Sequence, residues 1–583
     1  MRAAEQIRFY ETLSLMAYIA AAIFNRKIFY NTQSLPLRIF SKLLRMDISP
    51  HASTIWYGDL EKITGIRKNA YARALKKIQT FHVDLWDFGL RKKLAIDYHL
   101  IAEKFLLDFL FNRYEFIGLA CQYADENPHC SVSLTINSLA VDTSVVTTPR
   151  LEVRQAMGFS GLQFFAGVLV APFFAFHFVR KNRVARPTLQ QAIICEVDCK
   201  KIYDMFRELL GTRANVQYFI QRHYVSAFDN EEFKSLGLQV HGLNDRGVAR
   251  VYVLLRGFLL FAGKNCLRFA NYGPLLFDYF KCLLQGSLLA PDAQRSTYLT
   301  FEHMSTTKAV RNELLRERGN NSVFVPYNAY AIDHFFSPEY RYNYDVLCSP
   351  SRLLENVYRL QGAATKVFLK TGAYSPHLKS PEDVAMKARI RRLQDFKGAR
   401  KAVTILSCGI QDGLLSVERR LMLWAKRLAE DPEICVFVRM KPVAPPEKYA
   451  NFYVEQLGNA PNILLTHKEY ELFDFLHVSD LFVTSISSSA VDLCSAGGAF
   501  YSVDFWSDPD LYLWQTSIDG VFLDPDLALE AVQGWIKDAP GIRREHEARM
   551  ASLAELIAYQ FDSFEEYKQN LLTQLSPYLP SST

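Results

Sequence analysis

A strand–loop–helix–strand pattern at residues 479–504 places the strongest constraint on the fold of this chain. An apolar run at 481–483 leads into the hydroxyl-rich loop 485–489, a small-residue helical segment that ends at Gly497 and Gly498, and a second apolar run at 499–503. This order predicts a βαβ unit with parallel strands. Open parallel sheets bind ligands outside the carboxyl ends of their strands, so we expect loop 485–489 to lie at a ligand-binding edge.

The alternation of strands and helices continues on both sides of this unit. Strands predicted at 403–406, 434–438 and 462–465 precede it, and an earlier series runs from residue 192 to residue 370. Such alternation is typical of doubly wound α/β sheets. The predicted organisation is a helical region at 1–150, a hydrophobic segment at 155–186, a first α/β domain at 187–379, a charged helical linker at 380–400, and a second α/β domain with closing helices at 401–583.

The first 150 residues show no recurrent strand pattern and are predicted to be helical. Residues 60–78 have the shape of a helix-turn-helix, with Thr64 and Gly65 at the turn and a basic second half. DNA binding would need that half exposed in a major groove, but a helical hairpin with a solvated basic face gives the same pattern. We expect no nucleic-acid partner. The apolar stretch 13–24 is interpreted as an amphipathic helix, with a secretory signal as the alternative.

Residues 159–179 form the most hydrophobic stretch, which is uncharged and long enough to span a bilayer. A basic cluster follows it directly: Arg180, Lys181, Arg183 and Arg186. The positive-inside rule places this end in the cytoplasm, yet a full span would then put the basic N-terminal region outside. Pro172 would also kink the helix. We therefore predict a re-entrant or interfacial helix on the cytoplasmic membrane face, with a true span and a buried core helix as alternatives.

Bulk composition narrows the class of protein. With 49% hydrophobic and 22% charged residues, the 583-residue chain has a globular balance rather than a disordered one. The net charge of +6 is compatible with an anionic membrane face or anionic nucleotide substrates. The ten cysteines include no Cys-x-x-Cys pair. We interpret them as reduced thiols in a cytoplasmic compartment, and we expect neither a metal nor a cofactor.

Polar residues at the predicted strand ends of the second α/β domain are the candidate donor-nucleotide-binding residues. They are Ser407, Cys408, Gly409, Arg439, Lys441, Ser487, Ser488, Ser489 and Asp492. Hydroxyls and free N–H groups at a helix start suit a phosphate, and Asp492 can bind a ribose hydroxyl. Each group also has a plainer interpretation: helix-capping serines, an ordinary strand-to-helix turn, and a solvated basic pair.

This C-terminal domain resembles bacterial GT-B transferases of surface-carbohydrate synthesis, particularly the CDP-glycerol glycerophosphotransferase group. The spacing of that group's late motif is matched by Thr484, Ser485, Ile486, Ser487, Ser488, Ser489, Asp492 and Gly497. A strand-end Lys-x-His-Pro motif of the group corresponds to Arg439-Met440-Lys441-Pro442, in which Lys441 replaces the histidine. A lysine can still neutralise a pyrophosphate as a point charge. The resemblance covers about residues 192–575.

The resemblance implies an acceptor-side domain at 187–379 and a nucleotide-donor domain at 401–583. An inverting transfer needs a base on the acceptor hydroxyl, and His303 or Glu302 would supply it from the end of the strand at 298–301; an ordinary surface histidine is the alternative.

The expected function is a membrane-associated glycosyltransferase or polyol-phosphate transferase in bacterial surface-polysaccharide or capsule synthesis. It would use a nucleotide-activated donor and a glycan or lipid-linked acceptor, without a bound metal. A GT-B-shaped sugar-nucleotide epimerase and a non-catalytic membrane-bound assembly protein are the alternatives.

Overall fold

The structure is a computed structural model in which most of the chain is described. The residues outside its description are 1–5, 24–27, 35–36, 38–40, 42–47, 49–51, 54–59, 82–85, 89–96, 138–141, 187, 212, 214, 229, 302–304, 327–340, 342, 361, 373, 375–383, 408, 410–414, 442–445, 459, 468, 486–488, 504–520, 523, 558, 560, 562 and 581–583.

A five-stranded parallel sheet occupies the N-terminal region, in the order β3-β2-β1-β4-β5. Its elements are β1 (Gln6–Leu13), α1 (Leu15–Ile23), β2 (Ile28–Gln33), β3 (Ala52–Ser53), α2 (Leu60–Ile78), α3 (Tyr98–Glu126), β4 (Ser131–Ile136) and β5 (Leu151–Gln155). The sequence predicts that region 1–150 is mostly helical with no recurrent strand pattern, and the five parallel strands show that the second part of this prediction is wrong. The buried carboxylate of Glu11 interrupts the apolar alternation of β1, and it is tolerated because Arg113 Nε donates to it over 2.8 Å.

Residues 60–78 form neither the helical hairpin nor the helix-turn-helix that the sequence suggested. Helix α2 runs without a break through Thr64 and Gly65 and packs along α3. An ion pair of 2.6 Å between Arg67 and Glu115 joins the two helices. The basic face of α2 therefore belongs to one continuous helix rather than to a separate recognition helix.

A seven-stranded parallel sheet forms the first of the two domains that the sequence predicts, in the order β14-β13-β12-β11-β7-β8-β9. The elements in this part of the chain are α4 (Met157–Asn182), β6 (Leu189–Gln190), β7 (Ile193–Val197), α5 (Lys200–Leu210), β8 (Val216–Ile220), α6 (Asn230–Ser235), β9 (Gln239–Val240), α7 (Asp245–Lys264), α8 (Cys266–Phe269), α9 (Leu275–Leu289), β10 (Ala293–Gln294), β11 (Thr297–Thr300), α10 (Thr306–Arg316), β12 (Asn321–Phe324), β13 (Val346–Ser349), α11 (Arg352–Leu360) and β14 (Val367–Lys370). The short strands β6 and β10 pair separately.

A six-stranded parallel sheet forms the second domain, in the order β17-β16-β15-β18-β19-β20. Its elements are α12 (Val384–Lys397), β15 (Lys401–Leu406), α13 (Leu415–Leu428), β16 (Ile434–Arg439), α14 (Pro446–Leu457), β17 (Ile463–Thr466), α15 (Leu472–Leu476), β18 (Leu481–Thr484), α16 (Ser489–Ser495), β19 (Phe500–Val503), β20 (Val521–Phe522), α17 (Pro525–Ile536), α18 (Pro540–Ile557) and α19 (Phe564–Leu575). The predicted linker helix, α12, is tied to this domain by ion pairs from Arg389 to Asp474 (2.6 Å) and from Lys397 to Asp480 (2.8 Å).

The last helix returns the chain to the first domain. Phe564, Tyr567 and Leu571 of α19 are buried in the same hydrophobic core as strands β7, β11 and β12. Just beyond α19, the carbonyl oxygen of Tyr578 accepts hydrogen bonds from Thr297 and Asn321. Two doubly wound sheets in sequence, with the C-terminal helix crossing back to the first, form the GT-B arrangement.

In both large sheets the strand order reverses direction once. The reversal lies between β7 and β11 in the first domain and between β15 and β18 in the second. At such a point the neighbouring connections run to opposite faces of the sheet and leave a crevice at the carboxyl ends of the strands, where ligands bind. The fold therefore indicates two sheet edges, one in each domain, at which a ligand-binding site can form.

Helix α4 joins the N-terminal sheet to the first domain and has two unlike faces. One face is buried against α7 and α9, where Ala171 and Ala175 are fully buried and any side chain at Gly167 would collide with Phe277. The other face exposes five large apolar side chains: Leu162, Phe165, Leu169, Phe173 and Phe176. Among the described residues, the segment Ser160–Asn182 is the one helix long and apolar enough to cross a membrane by length and composition alone.

Candidate active site at the interdomain cleft

The reversal point of the second sheet brings three strand ends together. Leu406 of β15 pairs with Arg439 of β16 on one side and with Thr484 of β18 on the other. Because all three strands are parallel, Arg439, Ser407 and Ser485 leave the sheet at the same edge. The register thus places Ser407 and Ser485, which begin the loops after β15 and β18, at one edge of the sheet.

The loop after β15 is held in shape by Ser407. Its buried hydroxyl lies 2.7 Å from the Tyr453 hydroxyl and accepts the Gly409 N–H over 3.0 Å. Gly409 has φ of +89°, and a Cβ there would lie 3.1 Å from Lys441 Cδ, so the loop needs glycine both for its backbone and for the close approach. Ser407 therefore shapes the loop, while Gly409 and the exposed Lys441 lie side by side.

Arg439 is buried at this edge and does not use all of its hydrogen-bond donors among the described residues. Its side chain is 14% exposed, and its contact with Glu471 is long, at 3.9 Å. Among the described residues, its buried Nε–H has no hydrogen-bond partner. Burial lowers the pKa of Arg439 from its ordinary value, although the nearby carboxylates of Glu471 and Asp492 oppose the shift. A buried, unsatisfied guanidinium donor at a sheet edge suits an anionic oxygen ligand.

Asp492 of α16 connects this edge to the first domain. Burial raises the pKa of its carboxyl to about 7, while the positive charges of Lys201 and Arg439 act in the opposite direction. Lys201 lies in the first turn of α5, directly after β7, and so belongs to the reversal point of the other sheet. Lys201 is therefore close enough for its charge to act on Asp492, which brings the reversal points of the two sheets near each other. We refer to the region between these two sheet edges as the interdomain cleft. The sequence analysis missed Lys201, although a lysine directly after a predicted strand is a usable signal.

The first domain presents two carboxylates near the cleft, and they differ in kind. Glu196, in β7, is buried and accepts hydrogen bonds from Arg311 (2.6 Å), Thr300 (2.8 Å) and Gln221 (3.0 Å). Burial alone would raise the pKa of Glu196, but the charges of Arg311 and Lys308 hold it below the ordinary value. This carboxylate stays ionised and fully engaged, which fits a structural role.

Asp198 is the second carboxylate and lies one residue beyond the end of β7. Burial raises the pKa of Asp198 above its usual value, and the neighbouring charge of Glu196 adds to the rise. Its buried Oδ1 has no hydrogen-bond partner within the described part of the chain. A carboxylate with a raised pKa and a free oxygen is suited to accept a proton.

Five of the residues singled out from the sequence lie outside the described residues: Glu302, His303, Cys408, Ser487 and Ser488. Of the others, Gly409, Arg439 and Lys441 meet at one edge, and Ser489 begins the helix that carries Asp492. The structure adds Lys201 and Asp198 from the opposite domain.

Comparison with known proteins gives likenesses of fold. No protein-family model and no curated protein matches the chain. Among solved structures, it is similar to the wall teichoic acid polymerase TagF, with 10% identity over 72% of this chain and 97% of that one and a TM-score of 0.38. It is also similar to Anabaena HepE in complex with UDP and glucose (12% identity, 66% and 99% coverage, TM-score 0.38). A third similar structure is Neisseria meningitidis UDP-GlcNAc 2-epimerase bound to UDP-GlcNAc (10% identity, 67% and 100% coverage, TM-score 0.39). What the cleft binds has to be argued from this chain's own residues.

Proposed function

We propose that the chain is a GT-B transferase that binds the phosphates of a nucleotide-activated donor at the reversal point of its second sheet. The observation that carries the proposal is the buried Arg439, whose Nε–H has no partner in the described part of the chain. Phosphate oxygens are the ligands that a guanidinium binds best, because they accept its N–H groups in a matching geometry. Gly409 and Lys441 border the same position and allow a close backbone approach and a second positive charge.

The remaining cleft residues suit the departure of the donor's nucleotide, which leaves as a nucleoside diphosphate when a sugar is transferred and as a nucleoside monophosphate when a polyol phosphate is transferred. A bond from the transferred group to the leaving phosphate oxygen breaks in the transfer, and negative charge grows on that oxygen. Arg439 and Lys441 from the second domain and Lys201 from the first would stabilise this charge from both sides of the cleft. Asp492, whose pKa is raised to about 7, is partly protonated at neutral pH and can donate a hydrogen bond to a phosphate or ribose oxygen.

The acceptor would be activated from the first domain. A base takes the proton of the acceptor hydroxyl while its oxygen attacks the transferred group, which is a sugar or a polyol phosphate. The sequence motif suggests His303 or Glu302 for this step, and the geometry adds Asp198, whose buried Oδ1 has no hydrogen-bond partner among the described residues and whose pKa is raised by burial. The histidine would accept the proton most readily near neutral pH.

The proposed place of action is the cytoplasmic face of a bacterial membrane, in surface-polysaccharide synthesis with a glycan or lipid-linked acceptor. Support comes from α4, which exposes an apolar stripe along its length and ends in basic residues. Since its opposite face is packed inside the protein, the helix would lie in the membrane interface rather than span the bilayer.

One observation favours a second candidate function, a non-catalytic nucleotide-binding protein of membrane-bound assemblies. Lys441 replaces the histidine of the resembling transferases. A lysine would need a large fall in pKa to act as an acid or base near neutral pH. Under this alternative the cleft binds the nucleotide but does not turn it over.

Isothermal titration against a panel of nucleotides and nucleotide-activated sugars and polyols tests the proposal. We expect micromolar binding of at least one diphosphate-containing nucleotide, and release of free nucleotide only when a glycan or lipid-linked acceptor is added. Binding without release under any acceptor would favour the non-catalytic alternative. Folded protein that binds none of the panel would contradict both functions.

A further inference from the structure

A cavity of about 710 Å³ lies beside the apolar helix at the edge of the first domain. Its walls come from the C-terminal half of α4, the end of α9, the 3₁₀ turn Arg222–Ala227 that follows β8, and the start of α10. A space of this size accommodates a small organic ligand rather than a single ion.

The lining of this cavity has an apolar part and a basic part. The apolar part is formed by Phe174, Phe178, Leu288 and Leu289. The polar part includes His177, Lys181, Arg222, His223 and Thr307. None of the described lining residues is acidic. A ligand that fits both parts must carry an apolar chain and an anionic group.

The two strong cations of the lining are available to a ligand. Lys181 and Arg222 are both exposed, and among the described residues neither forms an ion pair or a side-chain hydrogen bond. Arg183, two positions beyond Lys181, differs because it pairs with Asp245 over 2.9 Å and does not line the cavity. At the end of α4, Lys181 therefore lines the cavity, whereas Arg183 is already paired at the surface.

The apolar wall of the cavity continues onto the outside of the protein. On α4, the exposed stripe ends at Phe173 and Phe176, which are 77% and 61% exposed, and the cavity-lining residues Phe174, His177 and Phe178 are interleaved with them. From Leu162 to Phe176 the stripe extends for roughly 21 Å along the helix axis. A hydrocarbon chain can follow this stripe while its polar end enters the basic part of the cavity.

We propose that this cavity binds the phosphate headgroup of an amphiphile whose hydrocarbon chain lies along α4. Lys181 and Arg222 pair with the phosphate, and Phe174 and Phe178 pack against the first carbons of the chain. The hydroxyl of Thr307, 2.5 Å from the Ser305 hydroxyl, donates to the phosphate while it accepts the hydrogen of Ser305.

The cavity also lies close to the proposed reaction centre. Gln221, another lining residue, donates to Glu196 in β7, and β7 leads directly into Asp198 and Lys201. The site would thus hold a lipid-phosphate substrate at the acceptor side of the cleft, and this role rests on the proposed function. Binding itself does not, because it needs neither a donor nor turnover.

Calorimetric titration of the full chain with octyl phosphate, octyl glucoside and inorganic phosphate tests the inference, with the two amphiphiles kept below their micelle concentrations. We expect octyl phosphate to bind at least tenfold more tightly than either of the others. Arg222→Gln and Lys181→Gln should each weaken that binding about tenfold, since each removes one charge-assisted contact. The matched control Arg183→Gln, which removes a cation outside the cavity, should leave it unchanged.

Three results would overturn the inference. Octyl glucoside binding as tightly as octyl phosphate would show an apolar groove without headgroup selection. Inorganic phosphate binding as tightly would show a site for the free anion. Equal weakening by Arg183→Gln would show a diffuse charge effect. Thermal melting checks that each variant is folded. Nucleotide titration separates this inference from the proposed function: octyl phosphate binding without nucleotide binding leaves the cavity standing and removes the transferase.

Discussion

The N-terminal and C-terminal sheets have the same strand order around their reversal points, yet the buried arginine beside each reversal point is bonded differently. Between β1 and β4, Glu11 accepts hydrogen bonds from Arg113 Nε (2.8 Å) and from the N–H of Asn137 (2.7 Å). In the C-terminal sheet, the Nε–H of Arg439 has no partner among the described residues. The first arginine is paired within the chain itself, while the second keeps a hydrogen-bond donor without a partner among the described residues.

Strand order thus indicates where a binding site can form, but it does not by itself create one. Both sheets reverse direction, and both bury a guanidinium beside that reversal. The distinguishing feature is a buried carboxylate at hydrogen-bonding distance, which Arg113 has and which Arg439 lacks in the described part of the chain. A doubly wound sheet therefore becomes a binding site only where its own polar groups leave capacity unused.

The largest expected effect is a loss of stability in the N-terminal sheet, where the buried arginine is paired with a carboxylate. Arg113→Met leaves Glu11 buried without its cation, which should lower the free energy of unfolding by about 3–5 kcal/mol. Urea unfolding followed by circular dichroism measures the loss. Arg154→Gln, which breaks a fully exposed pair with Glu152, is the control and should shift nothing. If the two variants unfold alike, the N-terminal edge is not held by its ion pair and the comparison fails.

Arg439→Gln, in the C-terminal sheet, should give the reverse pattern, in which nucleotide binding weakens and stability is not lost. A lost hydrogen bond to a charged group costs about 1.5–3 kcal/mol, so nucleotide affinity should fall roughly 10- to 100-fold. The unfolding midpoint should stay the same or rise, because a poorly satisfied buried cation is removed. Titration calorimetry and urea unfolding test the two halves. Arg427→Gln, an exposed arginine paired with Asp526, serves as control. A large loss of stability would place Arg439 in the same structural class as Arg113.

A smaller effect is expected from the pH dependence of Asp492. Its pKa is raised from 3.8 to about 7, so its contribution to stability is fully present below pH 3.8 and is lost as the pH rises toward 7. Asp492→Asn does not titrate and should flatten the fall of the unfolding midpoint between pH 4 and 7 by the share of this group. Thermal melts across that range provide the measurement. Parallel pH profiles for the variant and the wild type would contradict the assigned burial.

The smallest effect is expected at Lys201, which is exposed. Because an exposed charge contributes about 0.2–1 kcal/mol, Lys201→Gln should weaken nucleotide binding by no more than about fivefold. The difference from wild type should disappear in about 1 M salt, where the screening length is about 3 Å. Lys234→Gln, on α6, is a control of the same charge change. A salt-independent loss would show that Lys201 contacts the ligand directly.

The C-terminal sheet could be predicted from sequence because its strands are visible there as apolar runs. Strands β16 and β18 are buried almost throughout, and the helix that follows each of them ends just before a glycine, Gly458 after α14 and Gly497 after α16. The meeting of Arg439 and Lys441 with the loop of Gly409 also follows from sequence, because parallel strands end at one edge. The facing of Lys201 and Asp492 does not follow, since it depends on how two domains pack.

The N-terminal sheet escaped prediction for a physical reason. Strand β1 is separated from its partner β4 by the long helices α2 and α3, and β3 has only two residues. In β1, Glu11 occupies a buried position that an apolar side chain would normally fill, and only the fold supplies the Arg113 that makes this tolerable. A buried ion pair removes the periodicity on which strand prediction relies.

The placement of β1 also sets an order of assembly. Thr12 and Asn137, which join β1 to the end of β4, are 125 positions apart in the chain, and Glu11 and Arg113 are 102 apart. During synthesis, β1 must therefore wait with one edge unpaired and its carboxylate in water until α3 and β4 have emerged. Parallel pairing over such separations is slow, and open edges invite association with other chains. Since α4 begins directly after β5, the apolar helix is synthesised only after all the strands of this sheet, and it can pack against a sheet that is already complete.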